Sequence, residues 1–273
     1  MKERVRYYND VKNDDFFSFG KRHNKIKFDQ NYDFIPKSKP AKFVSFCLYY
    51  MFAMPVLSFY MFAIQNVTIK GKENIKNLKN CGYMVVGNHT HYADAYLTQI
   101  GIARPKRTYI IADNNVVQLK FIGGIIKSLG AIPVPTTVSG IKKFHKTTSE
   151  ILQNKQVITV FPEAHIWPYY TGLRPFPVSS FMIASKNKVP VVPVATTYKK
   201  RMFFKRPKAV IFVGKPIFFD NNLTDRQNAE YYRNMTFNFI KDKVSNNNYT
   251  YIKYLQKEKE NENNFCNTQP KQT

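Results

Sequence analysis

The 22 residues from Phe43 to Ile64, FVSFCLYYMFAMPVLSFYMFAI, contain no charged side chain. As one helix such a run would reach about 33 Å, enough for the hydrocarbon core of a bilayer. Pro55 lies in its middle and has no backbone N–H to donate, so the run is expected to break into two short helices. Each half is too short to cross a membrane. The segment therefore reads as a membrane-associating helix or helical hairpin, either spanning or dipping, with a buried core helix as the alternative.

Outside that run the chain is polar and strongly basic. Its 273 residues carry 42 Lys and Arg against 18 Asp and Glu, a formal net charge of +24. This balance points to an anionic partner: a membrane surface, a phosphorylated substrate or nucleic acid. Residues 1–40 are polar and include Pro36 and Pro40, unlike a signal peptide. Cys47, Cys81 and Cys266 follow no pairing pattern, which argues against a disulfide framework.

Downstream, short β-branched runs alternate with helical patterns. Strands are expected at 67–70, 83–87, 108–112, 131–134, 157–161, 190–196 and 209–213, and helices at 93–103, 115–129, 138–153, 177–186 and 224–244. The alternation predicts an α/β fold, a mixed and largely parallel sheet of about seven strands flanked by helices. Four regions follow: a polar extension at 1–42, the apolar segment at 43–64, one catalytic-size domain at 65–244, and a loose Asn- and Lys-rich tail at 245–273.

Ligands gather beyond the carboxyl ends of parallel strands. Two chemically loaded segments fall there, Asn88-His89-Thr90-His91-Tyr92-Ala93-Asp94 and Pro162-Glu163-Ala164-His165. On one continuous helix, His89 and Asp94 would be turned about 140° apart. They can meet only if His89 lies in the strand-to-helix loop and Asp94 in the first helical turn. Asp94 would then fix the imidazole tautomer and leave the other ring nitrogen free as a general base. The alternative is a helix-capping His with an Asp placed for the helix dipole. A His-x-His metal pair, His89 and His91, is the rival chemistry for a hydrolase. His23 lies in the polar extension, and nothing around His145 reads as a ligand cluster.

The ordered blocks resemble the glycerolipid acyltransferase family, which includes bacterial 1-acylglycerol-3-phosphate acyltransferases. Asn88-His89 followed by Asp94 resembles its first block, with Val67–Gly71 as the lead-in strand. Gly124–Val134 is similar to its second block, Phe161-Pro162-Glu163 to its third, Val191–Val194 to its fourth, and Gly214–Ile217 to its closing turn. The resemblance implies that His89 is the general base, that Asp94 orients it, and that Glu163 helps hold the acceptor. It also implies an acyl-CoA or acyl carrier protein donor, a lysophospholipid acceptor such as 1-acyl-sn-glycerol 3-phosphate, and neither metal nor cofactor.

The chain departs from the family where two Arg residues are usual. Its second block continues Pro133-Val134-Pro135-Thr136-Thr137, and its third Ala164-His165-Ile166-Trp167. An anionic headgroup still needs cationic donors. Arg174 is the replacement expected, with His165 and Lys127 behind it; a solvated loop charge is the alternative for Arg174 and Lys127. Trp167 reads as an aromatic wedge at the membrane or acyl entrance, or as ordinary loop packing. Nine Lys or Arg and no acid lie between Lys186 and Lys215. The densest part, 199–208, suits an anionic bilayer at the cytoplasmic face of the cell membrane, and with the apolar segment nearby no nucleic-acid partner is expected. A non-catalytic basic binding module would explain this charge but not the ordered blocks.

Overall fold

The computed structural model describes residues 4–16, 26–91, 93–120, 122–202, 204–247 and 249–257. Among them, seven strands form one sheet: β2 Thr68–Lys70, β3 Tyr83–Gly87, β4 Thr108–Ala112, β5 Ala131–Pro133, β6 Val157–Val160, β7 Val191–Lys199 and β8 Lys208–Val213. Their spatial order is β2-β8-β7-β3-β6-β4-β5. All neighbours are parallel except the β7–β8 hairpin. The central strands β3 and β6 are buried at every position, which is why they read as unbroken apolar runs.

Helices cover both faces, and each is started by a local signal. Thr137 caps Val138–Gln153 by accepting from the Gly140 amide. Thr224 and Gln227 form a capping box at Asp225–Ser245. The helix expected over 115–129 is instead two short helices, Asn114–Val117 and Gly123–Ser128. Gly123 permits the join: a Cβ there would stand 2.2 Å from the Val117 carbonyl oxygen.

The apolar segment differs from expectation. Lys39–Ile64 is one uninterrupted helix of 26 residues. Pro55 does not break it, because Cys47–Ala53 is wound as π-helix and the Met54 amide reaches back to Tyr49 O. Widening the turn ahead of the proline absorbs the missing donor and the ring clash. Ser45, Tyr49, Met54 and Met61 form a narrow buried strip, whereas Phe43, Phe46, Phe52, Val56, Phe59 and Ile64 are exposed.

The two ends of the chain also depart from the reading as loose polar extensions. Phe28 and Phe34 are fully buried in the same core as Met84, Ile132 and Phe144. Gly140 lets this segment approach, since a Cβ there would lie 2.1 Å from Phe28 O. Near the carboxyl end, residues 253–256 form strand β9, paired in parallel with β1 at Val5–Tyr8. Aromatic packing supplies the stability that composition hid: Tyr254 stacks on Trp167 with centroids 5.1 Å apart, and Tyr251 packs on Tyr169. The rest of the expected tail, 258–273, lies outside the described residues, as do residues 17–25 with His23.

Truncating Phe28 to Ala should lower unfolding free energy by about 3–5 kcal/mol, the usual cost of emptying a buried aromatic site. Denaturant unfolding of the full chain checks this, and an unchanged midpoint would show that the amino-terminal segment is not part of the core.

Candidate active site

The loop after β3 is built from the strand outward. Asn88 is buried and locks onto β7 through a reciprocal pair: its Nδ2 donates to Thr196 O at 3.0 Å and its Oδ1 accepts from the Thr196 amide at 2.8 Å. The next residue is His89, at the carboxyl end of a central strand and facing the carboxyl end of β6. Its ring stacks on Phe161, with centroids 4.4 Å apart and planes 13° from parallel.

Asp94 opens the helix Asp94–Leu97, as the spacing requires. Its Oδ2 lies 3.1 Å from His89 Nδ1 and accepts from the Thr90 and His91 amides, each at 2.8 Å. The carboxylate is 2% exposed, and its Oδ1 has no hydrogen-bond partner. An anion so placed holds the proton on Nδ1 and leaves the Nε2 lone pair open. It also favours the imidazolium that forms when Nε2 takes a proton. Helix-start partial charge and two amide donors keep Asp94 ionised in return.

Glu163 reaches the same loop from β6. Its Oε2 accepts from the His89 amide at 3.0 Å and from Arg174 Nη2 at 3.1 Å, while its Oε1 accepts from the Arg174 amide at 3.0 Å. Glu163 thereby fixes the backbone that carries His89. The expected acceptor contact is not its first task, because both oxygens are already engaged.

Arg174 corrects the expectation of an accessible phosphate ligand. Its side chain is 1% exposed, pairs with Glu163, donates to His165 O, and lies against the Trp167 ring. Its Nε and Nη1 have no hydrogen-bond partner. A buried carboxylate draws the guanidinium inward, since neither charge can be left alone in a low-dielectric interior. His165 pairs at 3.6 Å with Asp15 from the amino-terminal segment. Lys127 lies over the Tyr32 ring, 4.4 Å from its centroid, and burial pushes its pKa down. Neither has a recorded contact with His89.

The two histidines of the His-x-His pair occupy different surroundings. His91 Nδ1 accepts from the Ala93 amide, and its ring packs against Tyr169 and Tyr198. Burial lowers its pKa, with Asp94 opposing, so it is held neutral. Trp167 is fully buried: its amide donates to His89 O and its Nε1 to Asp14 O. That is loop packing and not a membrane wedge. Tyr198 was absent from the sequence reading. Its hydroxyl bonds Thr90 O at 2.8 Å and holds the far side of the loop. Only its place at the end of a buried strand hinted at this. Leu57, Tyr60, Met61, His91, Tyr96 and Arg206 are among the walls of a cavity of about 220 Å³ between the apolar helix and the loop.

Residues 66–197 match the family model described as Acyltransferase. The chain is 25% identical over 158 residues to the 1-acyl-sn-glycerol-3-phosphate acyltransferase of Bacillus subtilis (strain 168), covering 55% of this chain and 73% of that protein. The crystal structure of the 1-acyl-sn-glycerophosphate (LPA) acyltransferase PlsC from Thermotoga maritima superposes with a TM-score of 0.53 at 21% identity. That match covers 76% of this chain and 80% of the other, and it is a likeness of fold.

Burial changes what is expected of Arg174→Lys. A surface phosphate ligand would raise only the acceptor's KM. A buried brace on Glu163 should instead lower kcat, by about tenfold or more, because Lys cannot hold the bidentate arrangement. Steady-state kinetics varying donor and acceptor separately distinguish the two.

Proposed function

We infer, from a domain of the acyltransferase family over residues 66–197, that this enzyme moves a fatty acyl group from a thioester to the free hydroxyl of 1-acyl-sn-glycerol 3-phosphate. The product is phosphatidic acid, a step of phospholipid biosynthesis. The donor is acyl-CoA or acyl carrier protein. The observation that carries the reading is the His89 Nδ1 to Asp94 Oδ2 contact of 3.1 Å, at the end of a central parallel strand.

The chemistry follows from which nitrogen is free. His89 Nε2 takes the proton from the acceptor hydroxyl as that oxygen attacks the thioester carbonyl carbon. Asp94 stabilises the imidazolium. The tetrahedral intermediate expels the thiolate, which collects the proton from Nε2, and the ester is left on the glycerol. No covalent acyl-enzyme is required. Stacking on Phe161 and the Glu163 brace keep the ring still, so little reorganisation is needed on the way to the transition state.

Membrane association belongs to the same reading. The acceptor and product are lipids, the exposed helix is apolar, and the excess positive charge suits the anionic cytoplasmic leaflet.

Replacing His89 by Ala should cut transfer by about 10²- to 10⁴-fold without loss of folded structure. The assay uses purified protein, both donor types, and lysophosphatidate, glycerol 3-phosphate and a neutral lysolipid as acceptors. Wild-type turnover in the folded variant would remove His89 from the chemistry. Preference for another acceptor would keep the reaction class and change the substrate.

A further inference from the structure

A 26-residue apolar helix of about 39 Å is long enough to cross a bilayer. What precedes and follows it decides whether it does. The chain before the helix is folded into the domain that comes after it. Phe28 and Phe34 are buried among Ile132, Phe144 and Ile151. Phe28 N donates to Thr136 Oγ1 at 3.1 Å, and Lys143 Nζ reaches Gln30 O. Strand β1 pairs with β9. A crossing helix would put residues 4–38 on the other side of the membrane and break each of these contacts.

The helix is also pinned along its length. At its start Ser45 Oγ donates to Ser128 O at 2.6 Å and accepts from Arg107 Nη2. The Thr108 amide donates to Tyr49 in the next turn. At its far end Arg201 Nη1 donates to Ile64 O at 3.1 Å. Arg201 belongs to the tip of the β7–β8 hairpin, where Met202 is 86% exposed and Phe204 is 61% exposed. Lys199, Lys200, Lys205, Arg206 and Lys208 surround them. Phe203, between them, lies outside the described residues.

We propose that the apolar helix lies in the plane of one anionic leaflet without crossing it, and that the hairpin tip enters the same leaflet as a second foot. The inference rests on the membrane reading above. It adds which surface faces the lipid, and that both ends of the helix stay on one side. The exposed face of the helix and the apolar residues of the tip are joined through Arg201, so they seat together. The basic side chains around the tip meet lipid phosphates, and the cavity beside His91 opens between the two feet.

Two measurements test this without reading acyl transfer. In full-length protein with its native cysteines replaced by Ser, Lys12→Cys and Lys241→Cys are introduced separately. Each is reacted with a membrane-impermeant maleimide in sealed inside-out and right-side-out vesicles. Labelling of both positions from the same side is expected; labelling from opposite sides overturns the in-plane helix. The double variant Met202→Asp/Phe204→Asp is then sedimented with vesicles of phosphatidylcholine containing about one third phosphatidylglycerol. Partitioning should weaken by about tenfold with the melting temperature unchanged. Unchanged partitioning overturns the hairpin foot. A reduced melting temperature is met by Lys200→Glu/Lys205→Glu, whose unaltered partitioning would overturn it equally.

Discussion

One carboxylate oxygen organises the catalytic end of the sheet. Asp94 Oδ2 gathers the amides of Thr90 and His91 and the Nδ1 of His89. Three donors on a single atom force the backbone from 89 to 94 to curl around it, so the loop and the helix start are one unit. The cost is a buried anion with one oxygen left unpartnered. That cost is tolerable because the helix start and two amides offset it, and useful because the remaining negative potential falls on the histidine. Folding and reactivity therefore draw on the same interaction.

A second carboxylate does for position what the first does for charge. Glu163 ties the His89 amide to Arg174, and Trp167 donates from its backbone to His89 O. The histidine is held at its amide, its carbonyl and its ring. Each tie comes from the segment that follows β6, so two strand ends that are far apart in sequence become neighbours through β3–β6 pairing. The parallel sheet supplies this closeness before any side chain acts.

Much of this was legible in advance, for identifiable reasons. Strands buried on both faces must be apolar throughout, so Tyr83–Gly87 and Val157–Val160 stand out from their surroundings. The five-residue spacing of His89 and Asp94 makes sense only across a loop-to-helix junction, and the structure has that junction. Arg174 was read as accessible because a charge in a loop gives no sign of which way it points; only the buried Glu163 partner decides that. Pro55 was read as a break because residue patterns do not report π-helical turns. Strands β1 and β9 were missed since neither has a hydrophobic face of its own, and their stability comes from aromatic rings contributed by distant loops.

The pairing of β1 with β9 has a consequence for how the enzyme is made. The first strand of the described chain has its partner in the last, and the two close over Trp167, which in turn holds the loop of His89. During synthesis the amino-terminal segment leaves the ribosome long before residues 253–256 exist. The nascent chain can therefore assemble most of its sheet while the clasp over Trp167 is still open. That clasp closes only once translation has passed the final strand, which ties the finished catalytic loop to the completion of the polypeptide.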